Sequence, residues 1–320
     1  MTSHPFNLGG HSRKVSTRSP EAQTWFDRGL NWCFGFHQEE GIRCFKRALD
    51  HDPTCLMAHW GVAYGCGPFY NLAWHEFGVA EAAASTALAT THIAQARACY
   101  GQATMLEIEL VEALACRFQQ PHPVTREEYA RWDDDYAAAL RRVHFAHPDD
   151  LDVAALFVEA LITRTPRRLW DVKTGRPAPN SDVLEALAIC ESAIALAEAR
   201  GWAPHPAILH LHIHIMEMSN EPERAMRSAD LLGEDVGITI TQPFAATESG
   251  HEPLTSIPRK CSSNSWSEGR DPSAIGAGPA MTMGDARCEA FLDMRATRPN
   301  HPCQRTHFAL VSSAPAPIRG

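Results

Sequence analysis

Ala22–Cys55 reads AQTWFDRGLNWCFGFHQEEGIRCFKRALDHDPTC, and this stretch decides the fold. Its pattern predicts two antiparallel helices, about Pro20 to Phe36 and about Glu39 to His51. The small residues Gly29, Gly41 and Ala48 let the two backbones approach, and Trp25, Trp32 and Phe45 fill the volume around that contact. Pro53 then stops the second helix and opens the next, because proline fits the first turn of a helix and breaks its interior.

Working outward, the 320-residue chain divides into three parts. Residues 1–18 are polar and rich in Ser, Arg and Gly, and read as a flexible arm with no apolar leader. Residues 19–232 read as helix nearly throughout. Val79 to Phe118 gives two Ala-rich helices, and Leu151 to Thr163 gives one capped by Asp149 or Asp150. Val183 to Arg200 ends at Gly201, while Pro206 to Ser219 and Pro222 to Leu232 each open on proline. In residues 233–320, 26 of the 88 positions are Pro, Gly or Ser, so the composition predicts a poorly ordered tail. Met226, Leu231 and Leu232, just before it, are apolar, so self-association is expected where they lack a stacking neighbour.

The net charge of −9, with 29 Lys and Arg against 38 Asp and Glu and no basic block, argues against nucleic acid or an anionic membrane as partner. No apolar run approaches the roughly 18 residues of a membrane span. None of the ten cysteines forms C-x-x-C, and the first seven lie in apolar helical patterns; a reducing, cytoplasmic location is expected.

Taking Ala22 as position 1, Trp25, Gly29, Trp32, Phe45, Ala48 and Pro53 fall at positions 4, 8, 11, 24, 27 and 32 of the 34-residue tetratricopeptide (TPR) repeat. Tyr136, Leu140, Val143 and Pro148 repeat the later positions more weakly. The chain resembles a family of TPR-like proteins of bacteria and fungi through Phe36-His37, Asp52-Pro53-Thr54-Cys55, Gly67-Pro68-Phe69-Tyr70-Asn71, Leu169-Trp170-Asp171 and His210-Leu211-His212-Ile213-His214. The resemblance covers about residues 19–232. It implies an all-α, TPR-like solenoid of antiparallel helix pairs, the clearest being 22–55.

The helix from Pro206 to Ser219 is apolar over more than half its circumference and carries one polar stripe, His210, His214 and Glu217. His210 and His214, four residues apart, can share a divalent transition metal such as Fe, Zn, Cu or Mn. Glu217 lies about 10 Å along the axis from His210, so one ion bound by all three would strain the reach; the spacing favours two of the three as ligands and the third as their hydrogen-bond partner or a general base. The stripe reads equally as a solvated, hydrogen-bonded lining of the groove. His212 reads as a core histidine. His37, Tyr70, Asn71 and His205 are candidates for lining a binding groove, and His37 or His205 for adding a ligand. Glu159, in an apolar helix, is expected to be paired, and Asp133-Asp134-Asp135 to form a solvated face. Nucleotide-loop and α/β-hydrolase signatures are absent.

Two functions follow. The first is a scaffold whose concave face binds a protein, peptide or small molecule, an expectation drawn from fold analogy. The second is a metal-dependent enzyme of specialised metabolism with its His/Glu site on residues 206–219.

Overall fold

The computed structural model describes residues 6–234; the expected tail, 233–320, lies almost wholly outside them. Among the described residues the chain is all-α, with ten α-helices: α1 (Pro20–Phe34), α2 (Gln38–His51), α3 (Leu56–Gly65), α4 (Val79–Ala98), α5 (Met105–Ala115), α6 (Arg126–Ala146), α7 (Leu151–Thr163), α8 (Val183–Arg200), α9 (Pro206–Met216) and α10 (Met226–Glu234). A two-residue antiparallel hairpin, β1 (Trp170–Asp171) with β2 (Arg176–Pro177), decorates the loop between α7 and α8. No helix among the described residues is long and apolar enough to cross a membrane.

Local chemistry sets the boundaries. Ser19 caps α1 by accepting the Ala22 N–H, with Pro20 at the first helical position. Thr104 with Glu107, and Thr125 with Glu128, form reciprocal capping boxes on α5 and α6. Asp150 caps α7 through the Val153 N–H, and Gly201, at φ 64°, closes α8 in the left-handed region.

The α1–α2 pair packs as its glycines require. A Cβ on Gly41 would lie 2.4 Å from Cys33 Sγ and 3.0 Å from the Gly29 carbonyl oxygen, and one on Gly29 would lie 2.6 Å from the Phe45 ring. Contacts of 41 with 33 and of 45 with 29 define an antiparallel register. The next pair continues it: Gly61 also meets the Phe45 ring and Gly65 meets Ile42. Every helix packs on its successor, α1 also on α3, α3 on α5 and α7 on α9. All ten residues of α3 and twelve of thirteen in α7 are buried, matching helices without a polar face.

Two features depart from the sequence reading. Residues 11–18, expected as a flexible arm, lie against the body. Ser12 Oγ donates to Asp27, the Ser16 N–H and hydroxyl donate to Glu107, Thr17 Oγ1 donates to Asp52, and Val15 is buried. The arm has no helical period because its order comes from polar bonds to distant carboxylates. The Asp133–Asp135 run is also not simply solvated. Asp133 is buried 3.4 Å from the guanidinium of fully buried Arg117, which lies 4.0 Å over the Tyr136 ring. Burial pushes Asp133 up to about 6 against the pull of Arg117. Glu159, expected to be paired, accepts a hydrogen bond from Tyr64.

The seven described cysteines form no disulfide with one another. Burial raises Cys44 to about 12 and Cys55 to about 11, so neither is a thiolate nucleophile.

Candidate metal centre on helix α9

The last turn of α1 and the loop after α3 converge on the middle of α9. This places the Phe34 carbonyl and the rings of Phe36 and Tyr70 against His210 and His214, although 176 positions separate Phe34 from His210. Phe36 makes the reversal after α1 at φ 63°, a left-handed conformation that costs an L residue about 1–3 kcal/mol. There its ring lies 4.3 Å from that of His210 and stacks on that of His214 at 5.3 Å and 12°. The Tyr70 ring covers His214 at 4.8 Å.

His210 is 2% exposed, and its Nδ1 lies 2.7 Å from the Phe34 carbonyl oxygen. A carbonyl can only accept, so Nδ1 carries the proton. His214 Nδ1 lies 3.1 Å from Glu217 Oε1. An ionised Glu217 also only accepts, which places a proton on that Nδ1 as well. Both remaining lone pairs are then on Nε2, and the two Nε2 atoms face each other at 3.0 Å. Two lone pairs at that distance repel unless a cation lies between them. The cation is either one proton shared by the rings or a metal ion.

Burial, followed by the neighbouring charge of His214, pushes His210 down to about 3, so His210 resists taking that proton itself. Metal-ligating histidines tie their other ring N–H to a backbone carbonyl or a carboxylate, and this pair has one of each. Glu217 therefore orients His214 from the far side and does not share an ion with both rings. Burial, then the Glu217 charge, holds the Tyr70 hydroxyl well above its ordinary value, so it stays protonated.

A second cluster lies where α9 begins. His11 Nε2 and His205 Nε2 lie 3.0 and 3.1 Å from one oxygen of Asp152, Oδ1. Arg13 donates to the other oxygen, Oδ2, at 2.9 Å and reaches Asp150 at 2.9 and 3.0 Å. Burial alone would raise Asp152; the hydrogen bonds from His11 and His205 override it and hold the carboxyl well below its usual range. His205 also caps α9, its Nδ1 accepting the Ile208 N–H at 3.4 Å. Among the described residues, these three are the one group of three or more His, Cys, Asp or Glu side chains with ligand atoms all within 4.8 Å of one another.

The structure thus brings His210, His214, Glu217 and Tyr70 together. His37 stands at the start of α2, edge-on to Trp32 at 5.2 Å, and its charge bears on His210. The four residues expected to line one groove do not do so. Tyr70 and His205 are buried, in separate clusters, and Asn71 is exposed. His212 is a core residue, bonded through Nδ1 to Ser228 at 2.8 Å. The sequence reading missed His11 and Asp152. The one available signal was an Asp in the first turn of an otherwise apolar helix.

Compared with protein-family models, with curated proteins and with solved structures, the chain matches none.

Proposed function

We propose that the chain is a metal-binding protein carried on a TPR-like array of helix pairs, with His210 and His214 as its imidazole ligands through Nε2. The supporting observation is the facing pair of Nε2 atoms, 3.0 Å apart, whose Nδ1 partners are the Phe34 carbonyl and the Glu217 carboxylate. Two bonds of about 2.1 Å span about 3.0 Å at 90° and about 3.4 Å at the tetrahedral angle usual for zinc, so an ion enters the pair with the rings parting by at most a few tenths of an ångström. Imidazole donors suit zinc, iron(II), copper or manganese less or more tightly in their usual order of affinity. Two protein donors leave coordination positions open for water or substrate, the condition for Lewis-acid catalysis.

One observation favours the scaffold reading instead. Residues 11–17 already lie across the helices as a segment held by the carboxylates of Asp27, Glu107, Asp150 and Asp152, as a bound peptide would be.

Metal analysis of protein purified without chelators separates the two readings. The metal reading expects the His210→Ala/His214→Ala double variant to hold one transition-metal ion per chain fewer than wild type, with its helical circular dichroism retained. A wild type that is metal-free and takes up no added zinc leaves the scaffold reading.

A further inference from the structure

We infer that His11, Asp152 and His205 form a second metal site, one that takes a divalent ion of the zinc, cobalt or iron(II) type and clamps the N-terminal segment to the helical body. The inference stands on its own geometry and does not depend on the His210–His214 pair.

Three ligands from three elements converge: an imidazole from the segment before α1, a carboxylate from the first turn of α7 and an imidazole at the cap of α9. Both Nε2 atoms approach the same carboxylate oxygen, at 3.0 and 3.1 Å. That is the edge of a six-coordinate ion with bonds of about 2.1 Å at right angles, and is a few tenths of an ångström short of the tetrahedral edge of about 3.4 Å. Two imidazoles and one carboxylate, with positions left over, are the donor set of non-haem iron(II) centres and of many zinc sites. Arg13 holds the oxygen the imidazoles do not use, fixing the carboxylate as an outer partner does. The local charge favours a cation, since Asp150 and Asp152 stand against the single guanidinium of Arg13.

Without an ion, both rings donate Nε2–H to Asp152. With one, each ring moves its proton to Nδ1, and His205 gives up its cap to the Ile208 N–H, which at 3.4 Å is already long. No proton is gained or lost overall. Because His11 belongs to the segment and the other two ligands to the body, the ion links them.

The test uses the full-length chain stripped of metal and titrated with cobalt(II), in four forms: wild type, His11→Ala, His11→Cys and His210→Ala/His214→Ala. Ions are counted by equilibrium dialysis. Trypsin cleavage after Arg13 and Lys14 reports on the clamp. Wild type is expected to bind one ion more than His11→Ala. Cobalt at about 100 times its dissociation constant should slow cleavage of wild type about 100-fold, because it removes the open form by mass action. The same cobalt should not slow cleavage of His11→Ala. His11→Cys, which restores a ligand, should regain the ion and acquire a thiolate-to-cobalt charge-transfer band missing from wild type.

Equal stoichiometry and equal cobalt protection in wild type and His11→Ala would overturn the site, as would His11→Cys with no new band. Ion loss in the His210→Ala/His214→Ala variant alone would sink the clamp and keep the α9 centre. Loss in His11→Ala alone would do the reverse.

Discussion

Asp152→Ala is expected to cost the folded protein about 3–5 kcal/mol in the presence of a chelator, because it leaves buried polar partners without their counter-ion. His205 and Arg13 lose their acceptor inside the protein, with side chains only 4% and 12% exposed. Asp149, three residues earlier, is a contrast. Its bond to Arg200 is at the surface, with side chains 62% and 52% exposed, so Asp149→Ala should cost under about 1 kcal/mol. The two variants share the chemistry of the change and differ only in burial and partners.

The pH dependence has a defined sign. The Asp152 carboxyl lies well below its usual range in the folded protein. Its contribution is therefore fully present above the unfolded carboxyl value of about 3.9 and is lost as pH falls through the lower folded value. Chelator-treated wild type should lose stability on acidification faster than Asp152→Ala below about pH 4. Urea unfolding at a series of pH values measures both the offset and the slope. Parallel curves for the two proteins would mean that Asp152 is not ionised and paired as described.

Phe45→Ala should be the most damaging core truncation, at about 3–5 kcal/mol, or roughly 6–20 °C in Tm. The ring is fully buried and fills the space between the backbones of three helices, α1 at Gly29, its own α2 and α3 at Gly61. Removing it leaves a cavity at the one point where all three meet. Gly29→Ala should destabilise wild type, since the added Cβ meets the ring at 2.6 Å. In the Phe45→Ala background the same change should be neutral or stabilising, because the clash is gone and alanine favours helix by about 1 kcal/mol over glycine. Thermal unfolding of the four proteins in this cycle gives the coupling. Additive effects would show that Gly29 and Phe45 do not pack against each other.

The α1–α2 pair was legible because its determinants are local. Glycine at 29 and 41, alanine at 48 and an aromatic at 45 state a close helix crossing within one 34-residue stretch. The His210–His214 pair was legible for the same reason, since a helix of 3.6 residues per turn puts positions four apart on one face. The role of Glu217 was harder to read. Its spacing from His214 placed it beside that ring, but not on which nitrogen it would bear.

The clamp at His11 could not be read. It joins residues 141 positions apart, and nothing in a polar arm of Ser, Arg and His distinguishes a free segment from one bound to carboxylates. The burial of Tyr70 and His205 was missed because groove lining was inferred from residue type, whereas their burial comes from elements distant in sequence.

A metal ion can take the place of the proton between His210 and His214 Nε2. Ring-nitrogen NMR of the full chain, ¹⁵N-labelled at histidine and assigned with the single His→Ala variants, tests it most directly. Without metal, both Nδ1 atoms should carry protons and one further proton should be shared between the Nε2 atoms. Zinc should displace that proton, leaving both rings as Nδ1–H tautomers with metal-shifted Nε2 resonances. Zinc that leaves the four ring-nitrogen resonances unmoved, or rings that carry their proton on Nε2 throughout, would contradict the account.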